Sequence, residues 1–509
     1  MTHFARSSLI VAVFFGLDKI LGFIRTVIIN RQFGLSYELD VFNTANNAPD
    51  LLSVLISGGA LGVALIPVLS EYLELKGRPA AWDLFARIAN LAFLVTASLA
   101  TVLALIAPWL ISNVIAPGFP PEQKALTVQL MRLDLFAILI FSISGLVMAG
   151  LHANQHFLLP ALAPGLYNIG QIFGAAILAP ETGFQLGGLT LPAFGLGIHG
   201  LVFGVILGAA LHLLIQIPGL IRHEFKWTPA IDLRNPGVRQ VLLLMGPRIL
   251  TMLFIQLFFI VRDNLASGLG EGAVTALNNG WFIMQVPETL LGTTIAIVLL
   301  PTLSDLFALG DRKNFQQSVN RAVRAVFALT IPSAVLLAVG LRPLVQFAYG
   351  FEPLETEMVV VAARIYLMGL TGHALLEIAS RSFYAQQNAR IPLYAAMLNA
   401  SAYVLLALFL TKRIGLSGIA LANSIVFTSE AIILLWLLNR SYPGILKVGS
   451  TLIRVMLATA ASATALYFAL QLIPLPHLYL APAGMLLGFL AILPLLWPEI
   501  RLLLRIGEN

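Results

Sequence analysis

Ser8-Leu-Ile-Val-Ala-Val-Phe-Phe-Gly-Leu-Asp18-Lys19-Ile-Leu-Gly22-Phe-Ile-Arg25-Thr-Val-Ile-Ile29 is long and apolar enough to cross a bilayer, yet it holds three ionisable side chains. A charge at mid-bilayer costs roughly 3 to more than 10 kcal/mol, so such residues persist where they face water, a partner or a charged ligand. Two of the three are cations. Lys19 and Arg25 therefore point to something anionic handled inside a membrane.

The rest of the chain has the same character. It has 509 residues, 59% hydrophobic and 11% charged, with a mean hydropathy of +0.90. A soluble protein carries about 25% charged residues. The sequence divides into about fourteen apolar runs of spanning length: 8–30, 41–70, 83–111, 126–151, 158–179, 196–220, 239–265, 273–305, 319–342, 358–384, 392–411, 416–438, 449–472 and 476–498. The second and eighth are long and interrupted by Pro and Gly, which predicts bends. No long polar segment is left for a soluble domain. There is no cysteine, which excludes disulfides and thiol-based metal or redox chemistry. The first apolar run is too long for a cleavable signal and lacks a small-residue cleavage site. The net charge of +6 reads as basic cytoplasmic loops rather than nucleic-acid binding. Lys76, Arg78, Arg87, Arg222, Lys226, Arg312, Lys313, Arg440 and Lys447 fall on one side; Lys124, Arg342, Lys412 and Arg413 fall on the other. That bias places both termini in the cytoplasm.

The two halves repeat. Gly58-Gly-Ala-Leu-Gly-Val-Ala-Leu-Ile-Pro67-Val-Leu-Ser70-Glu71 returns as Gly292-Thr-Thr-Ile-Ala-Ile-Val-Leu-Leu-Pro301-Thr-Leu-Ser304-Asp305, an offset of 234 from Pro67 to Pro301. His152-Ala-Asn-Gln155 returns as Tyr384-Ala-Gln-Gln387, and Gly197-Ile-His-Gly200 as Gly415-Leu-Ser-Gly418. An offset spanning six helices keeps the topology, so the lobes should relate by an axis along the membrane normal. The expected architecture is an all-α polytopic membrane protein: a six-helix lobe over 1–222, a second over 223–440, and an extra helix pair over 441–509.

Leu21-Gly-Phe-Ile-Arg25, Phe33-Gly34, Asp40-Val-Phe42, Pro49-Asp-Leu-Leu52, Gly59-Ala60 and Pro67-Val-Leu-Ser70-Glu71 carry a family resemblance. So do Ala116-Pro-Gly-Phe119, Pro160-Ala-Leu-Ala-Pro164 with Asn168, Gly246-Pro247, Leu300-Pro-Thr-Leu-Ser304 and Phe383-Tyr384. In these stretches, and across nearly its whole length, the chain resembles the MurJ/MviN lipid II flippases of the multidrug/oligosaccharidyl-lipid/polysaccharide exporter superfamily. The resemblance implies movement of undecaprenyl-pyrophosphate-linked disaccharide-pentapeptide from the inner to the outer leaflet of the bacterial plasma membrane by alternating access. It also implies a cationic cavity between two lobes and a groove for the lipid tail on the last two helices. The partners implied are that lipid-linked glycan and membrane lipids. Four positions depart from the family pattern: Ser53, Val54 and Phe282 stand where basic residues are usual, and Gly58 where an acid is. Lys19 replaces an arginine, which keeps the charge and loses bidentate phosphate geometry.

The residues expected to bind substrate are Lys19, Arg25, Asp40, Asn47 and Arg248. Lys19 and Arg25 are separated by about 120° around a helix, so both can border a broad cavity. Asp18 or Asp40 pairing with them to hold helices together is the alternative. Arg248 would be a clamp replacing the missing cations, or else a snorkelling interfacial arginine. Arg262 and Asp263 read as a local pair or a gate. Glu377 and Glu430 would bind a coupling cation or proton, unless they pair with Arg364 or face aqueous crevices. Arg132 and Asp134 read as an outer-leaflet pair, and Asn46 and Asp50 as further polar contacts or a helix cap.

No catalytic constellation, cofactor site or metal site is expected. Gly58-Gly-Ala-Leu-Gly lies in a membrane run and lacks the Gly-Lys-Ser/Thr signature of a nucleotide loop. His152 and His156 have no evident third ligand. Transport would then draw on an ion gradient, the membrane potential or the substrate's own gradient. Two other readings stay open: a flippase for another polyprenyl-linked glycan, such as an exopolysaccharide repeat unit, and a cation or drug exporter of the same superfamily.

Overall fold

The computed structural model describes residues 3–54, 60–183, 185–186, 189–473 and 476–504; at some of these, Arg248 included, it describes the backbone alone. Hydrocarbon offers the backbone no hydrogen-bonding partner, so a chain of this composition satisfies its peptide groups within helices. The first run is α1 (His3–Phe33). The second comprises α2 (Tyr37–Ala45), α3 (Asn47–Leu52) and α4 (Ala60–Leu75), with a turn at Asn46; the bend expected near Gly58 and Gly59 lies outside the described residues. Then come α5 (Gly77–Leu110), α6 (Pro121–Ala153), α7 (Leu158–Phe173), α8 (Gly197–Leu214), the short α9 (Ile217–Arg222) and α10 (Pro236–Ala266). The eighth run is α11 (Ala273–Pro287) and α12 (Thr294–Ala308), joined by a π-helical segment at Glu288–Thr293. The last six helices are α13 (Arg312–Tyr349), α14 (Pro353–Ala385), α15 (Arg390–Ile414), α16 (Leu416–Ser441), α17 (Gly449–Leu472) and α18 (His477–Leu504). A two-stranded hairpin, Gln185–Leu186 against Leu189–Thr190, sits between α7 and α8. Among the described residues, 11 helices are long and apolar enough to cross a membrane. The runs at 8–30, 41–70 and 239–265 are helical too but fall outside that count, so fourteen spans remains a sequence expectation.

The chain forms two compact units, Met1–Glu271 and Gly272–Asn509. Compactness and sequence repeat draw the line in different places. The seventh run, α10, opens the second half by repeat, yet it packs on α3, α4 and α5 within the first unit. The repeat itself reappears as local structure. Gln155 and Gln387 both follow long helices and both take the left-handed conformation, at φ 59° and 57°. Each turn is closed alike, by His156 N on Leu151 O and by Asn388 N on Phe383 O. This is a glutamine in a place that usually calls for glycine.

In the first unit, α6 packs on α2, α4, α5 and α8, while α1 packs on α7. Leu65, Leu69, Trp82, Phe85, Leu146 and Leu151 form the core towards α10. The α7–α8 contact is made through glycine. A Cβ on Gly170 would lie 2.3 Å from Gly208 Cα, and one on Gly204 would lie 2.6 Å from Gly174 Cα. Small residues four apart let two helix backbones touch where lipid supplies no hydrophobic drive to association. This contact fixes α7, the helix that carries Asn168.

In the second unit α14 is the packing centre, set against α11, α12, α13 and α16. Its Gly369 and Gly372 lie against Ser424 and Thr428 of α16. The final pair, α17 and α18, is tied to α13 by charge. Glu499 of α18, fully buried, accepts from Arg324 at 2.9 Å, from Thr451 Oγ1 at 2.9 Å and from Arg454.

Gly204→Val forces backbone against backbone, and overpacking of this kind costs about 1–3 kcal/mol. The detergent-solubilised protein should unfold at a lower temperature than wild type. Gly16→Ala, where a Cβ meets nothing within 4 Å, should not lower it. Equal melting of all three proteins would refute the close-packed α7–α8 contact.

Candidate functional site

Two groups of charges lie within the apolar runs of the first unit. The first joins α1 to α7. Asp18 and Arg25 are seven residues apart, about two helical turns, and so share a face. Asn168 of α7, buried, bridges them: Arg25 Nη1 donates to its Oδ1 at 3.0 Å, and its Nδ2 donates to Asp18 Oδ1 at 2.8 Å. Among the described residues Asn168 is the hydrogen-bond partner of Arg25 and engages one of five guanidinium N–H donors. Lys19 stands one residue outside this bridge, 4.0 Å from Asp18, with its side chain 60% exposed. The arrangement presents two cations along α1, one held in orientation and one extended.

The second group joins α3 to α10. Asn47 Nδ2 donates to Asp263 Oδ2 at 2.7 Å, and Arg262 Nε donates to Asp263 Oδ1 at 2.7 Å. Gln256 adds a bond to Asn47 O at 3.3 Å. Arg262 and Asp263 are both buried, and the guanidinium lies 5.1 Å from the Phe259 ring centre. Of the two sequence readings, Arg262 and Asp263 take the local pair. Asn47 joins that pair. The Ala116-Pro-Gly-Phe119 loop docks beside it: Gly118 N donates to Ser267 Oγ at 3.1 Å, and a Cβ on Gly118 would lie 2.5 Å from Gly268 N. That close approach is the reason for glycine in the motif. Asp40 is buried in α2, and the side chain of Arg248 lies outside the described residues.

The second unit holds the remaining acids. Glu377 pairs with Arg381 one turn on, at 3.0 Å, and Glu430 accepts from Asn399 Nδ2. Arg364, expected as a partner for these acids, instead donates to Ala338 O at 2.9 Å. It lines a cavity of about 620 Å³ between α13, α14 and α17, apolar apart from Arg342, Arg364, Thr371 and Gln471 among its wall residues. Phe282, where the resemblance expects a cation, is half-buried in α11.

Sequence reasoning missed a further feature of the first unit. Asp134, read as the partner of Arg132, is buried and turned away from it, while Arg132 donates to Ala104 O at 3.0 Å. Asp134 and Asp50 line one cavity of about 280 Å³ together with Ser53, Tyr167 and His212. The available signals were a carboxylate and a histidine inside apolar helices. Only the packing of four helices brings them to one wall.

Solved structures share this architecture. The chain superposes on a lipid II flippase MurJ in an inward-closed conformation with a TM-score of 0.79 at 23% identity, over 97% of this chain and 99% of that one. A multidrug resistance MATE family transporter of the MOP superfamily, inward-facing, gives 0.68 at 15% identity over 85% and 96%. The chain thus shares the polytopic helical fold of these two proteins. A family model described as lipid II flippase MurJ matches residues 29–487. The lipid II flippase MurJ of Burkholderia cenocepacia is 32% identical over 401 residues, 77% of this chain and 75% of that protein. A probable lipid II flippase MurJ of Buchnera aphidicola is 28% identical, over 80% and 78%. The chain belongs to the lipid II flippase MurJ family.

The Arg262–Asp263 pair has a clear mutational signature. Asp263→Leu removes the carboxylate paired with a buried guanidinium, and breaking such a pair costs about 3–5 kcal/mol. It should therefore abolish the monodisperse peak in size-exclusion chromatography of the solubilised protein. Arg262→Met with Asp263→Leu removes both charges and should restore the peak. A single variant as well behaved as the double would show that the pair has no structural role.

Proposed function

We propose that this chain moves a polyprenyl-pyrophosphate-linked peptidoglycan precursor from the inner to the outer leaflet of a bacterial plasma membrane, with both termini in the cytoplasm. The observation that carries the reading is the cation pair of α1 inside a membrane run. Arg25 is oriented by Asn168, and Lys19 is extended beside it. A pyrophosphate joined to a sugar is too polar to cross hydrocarbon unaided. It has roughly two negative charges, and each charge-assisted contact in a partly solvated cavity is worth a few kcal/mol. Arg25 supplies planar N–H donors to phosphate oxygen, and Lys19 supplies a mobile point charge that follows the head group. Family membership supports the same substrate.

The other parts have matching roles in this reading. Asp40, Asn47 and Arg248 are the further polar contacts proposed from sequence, and Glu377 and Glu430 the acids proposed for ion coupling. The apolar cavity between α13, α14 and α17 suits a polyprenyl tail, with Arg342 and Arg364 in its wall. The work is binding and reorientation, with no covalent step. The six-plus-six-plus-two helix organisation belongs to the same proposal. Uncharged Ser53, Val54 and Phe282 favour one second reading, a flippase for a different lipid-linked glycan.

Rescue of cells depleted of their own lipid II flippase tests both readings. Wild type should restore growth. Arg25→Ala should fail while reaching the membrane at normal abundance by immunoblot, with lipid II export reduced at least about tenfold. Full rescue by Arg25→Ala would remove the ligand role. Failure of wild type, with good expression, would favour the other glycan.

A further inference from the structure

Among the described residues Asp134 has no counter-charge. It lies in α6 at 1% exposure, and neither carboxylate oxygen has a hydrogen-bond partner among them. A carboxylate stranded in this way costs several kcal/mol unless a positive charge reaches it. Both oxygens belong to a side chain lining the cavity of about 280 Å³, which is polar and large enough for water. Asp50 lines the same space and is exposed, so it marks the accessible end and Asp134 the buried end. Asn46, Ser53 and Tyr167 contribute further oxygen atoms to the wall.

No fixed cation lines that wall among the described residues. The titratable groups facing Asp134 are Asp50 from α3, Tyr167 from α7 and His212 from α8. His212 is already engaged. Gln216 Nε2 donates to Ser144 Oγ at 2.9 Å, and Ser144 Oγ lies 2.6 Å from His212 Nδ1. Gln216 Nε2 is itself 3.3 Å from Nδ1. The second N–H of Gln216 Nε2 goes to His212 O at 2.7 Å, so the Ser144 hydroxyl, which accepts from Gln216, is left to donate to Nδ1; Nδ1 is assigned as an acceptor and the ring as neutral. Arg25 acts electrostatically on Tyr167 but gives its hydrogen bond to Asn168.

We propose that the cavity between Asp50 and Asp134 is a binding site for one monovalent cation, a sodium ion or a proton, that enters past Asp50 and neutralises Asp134. Hard cations prefer carboxylate, carbonyl and water oxygen, which is the chemistry of this wall. One charge matches Asp134, the carboxylate without a hydrogen-bond partner among the described residues. The site also reaches the substrate cations through one helix. On α7, Tyr167 faces the cavity and the next residue, Asn168, holds Arg25. A cation that draws Tyr167 towards Asp134 turns the same segment of α7 and changes how Arg25 is presented. Use of the site in transport rests on the flippase reading; binding itself does not.

The binding test uses the purified full-length chain without lipid substrate. Unfolding temperature is measured in NaCl and in N-methyl-D-glucamine chloride at equal ionic strength, from pH 5 to 8. Infrared difference spectra follow the carboxyl groups under the same conditions. If the ion is sodium, NaCl raises the unfolding temperature saturably, and Asp134→Asn weakens the apparent affinity at least about tenfold. If it is a proton, sodium has no effect, and wild type shows a protonated-carboxyl band that titrates with pH and is missing in Asp134→Asn. Ser53→Lys places a tethered ammonium in the cavity and should abolish either response while the protein stays folded. It serves as the second variant if Asp134→Asn does not fold. Absence of both responses in wild type overturns the proposal, as does stabilisation by MgCl2 or CaCl2 alone. Cation binding that persists when transport of lipid II fails would count against the flippase reading and leave the site standing.

Discussion

The cost of a charge in hydrocarbon governs this molecule. Every intramembrane ion must be matched by a partner, by water or by a ligand, and the structure shows different solutions side by side. Arg262 and Asp263 neutralise one another and take Asn47 with them. Glu499 is closed between Arg324 and Arg454, which ties the final helix pair to α13. Arg25 is oriented by an uncharged amide, Asn168, and keeps its charge. Asp134 is matched by none of the described residues. The first two are structural ties; the last two are the charges that the proposed substrate and the proposed cation would meet.

These sites depend on helix α7 being held closely. Gly170 and Gly174 of α7 meet Gly208 and Gly204 of α8 at backbone contact, so α7 has little freedom to slide. A small rotation at Tyr167 is then felt at Asn168 instead of being absorbed by loose packing. The π-helical segments at Gly174–Leu178 and Glu288–Thr293 lie in long membrane helices that also contain proline. Such segments leave a helix locally less regular, which would suit the lobe reorientation proposed above.

Much of the fold was legible because lipid imposes few solutions. Apolar runs of spanning length become helices, and in the eighth run Pro287 and Gly292 accompany the π-helical segment at Glu288–Thr293. The match of His152-Ala-Asn-Gln155 with Tyr384-Ala-Gln-Gln387 was legible as a repeat, and the structure adds that both glutamines take the left-handed conformation. Lys19, Arg25, Arg262 and Asp263 stood out because charge is rare in such runs. Asn168 was visible as a motif residue, although its task was not. An amide 143 residues from Arg25 gives no hint of which charge it serves.

By itself the sequence determined a polytopic helical transporter, its helix order and the family to which it belongs, because hydropathy and local motifs are properties of contiguous residues. Only the tertiary structure decided which charges meet. Arg132 and Asp134 are two residues apart and look paired, but about 200° of helical rotation separates them. One turns to Ala104, the other to a cavity built with Asp50, Tyr167 and His212. Asn47 and Asp263 are 216 residues apart and share a hydrogen bond. Pairing across helices depends on helix rotation and depth, and neither is written in any single stretch of sequence.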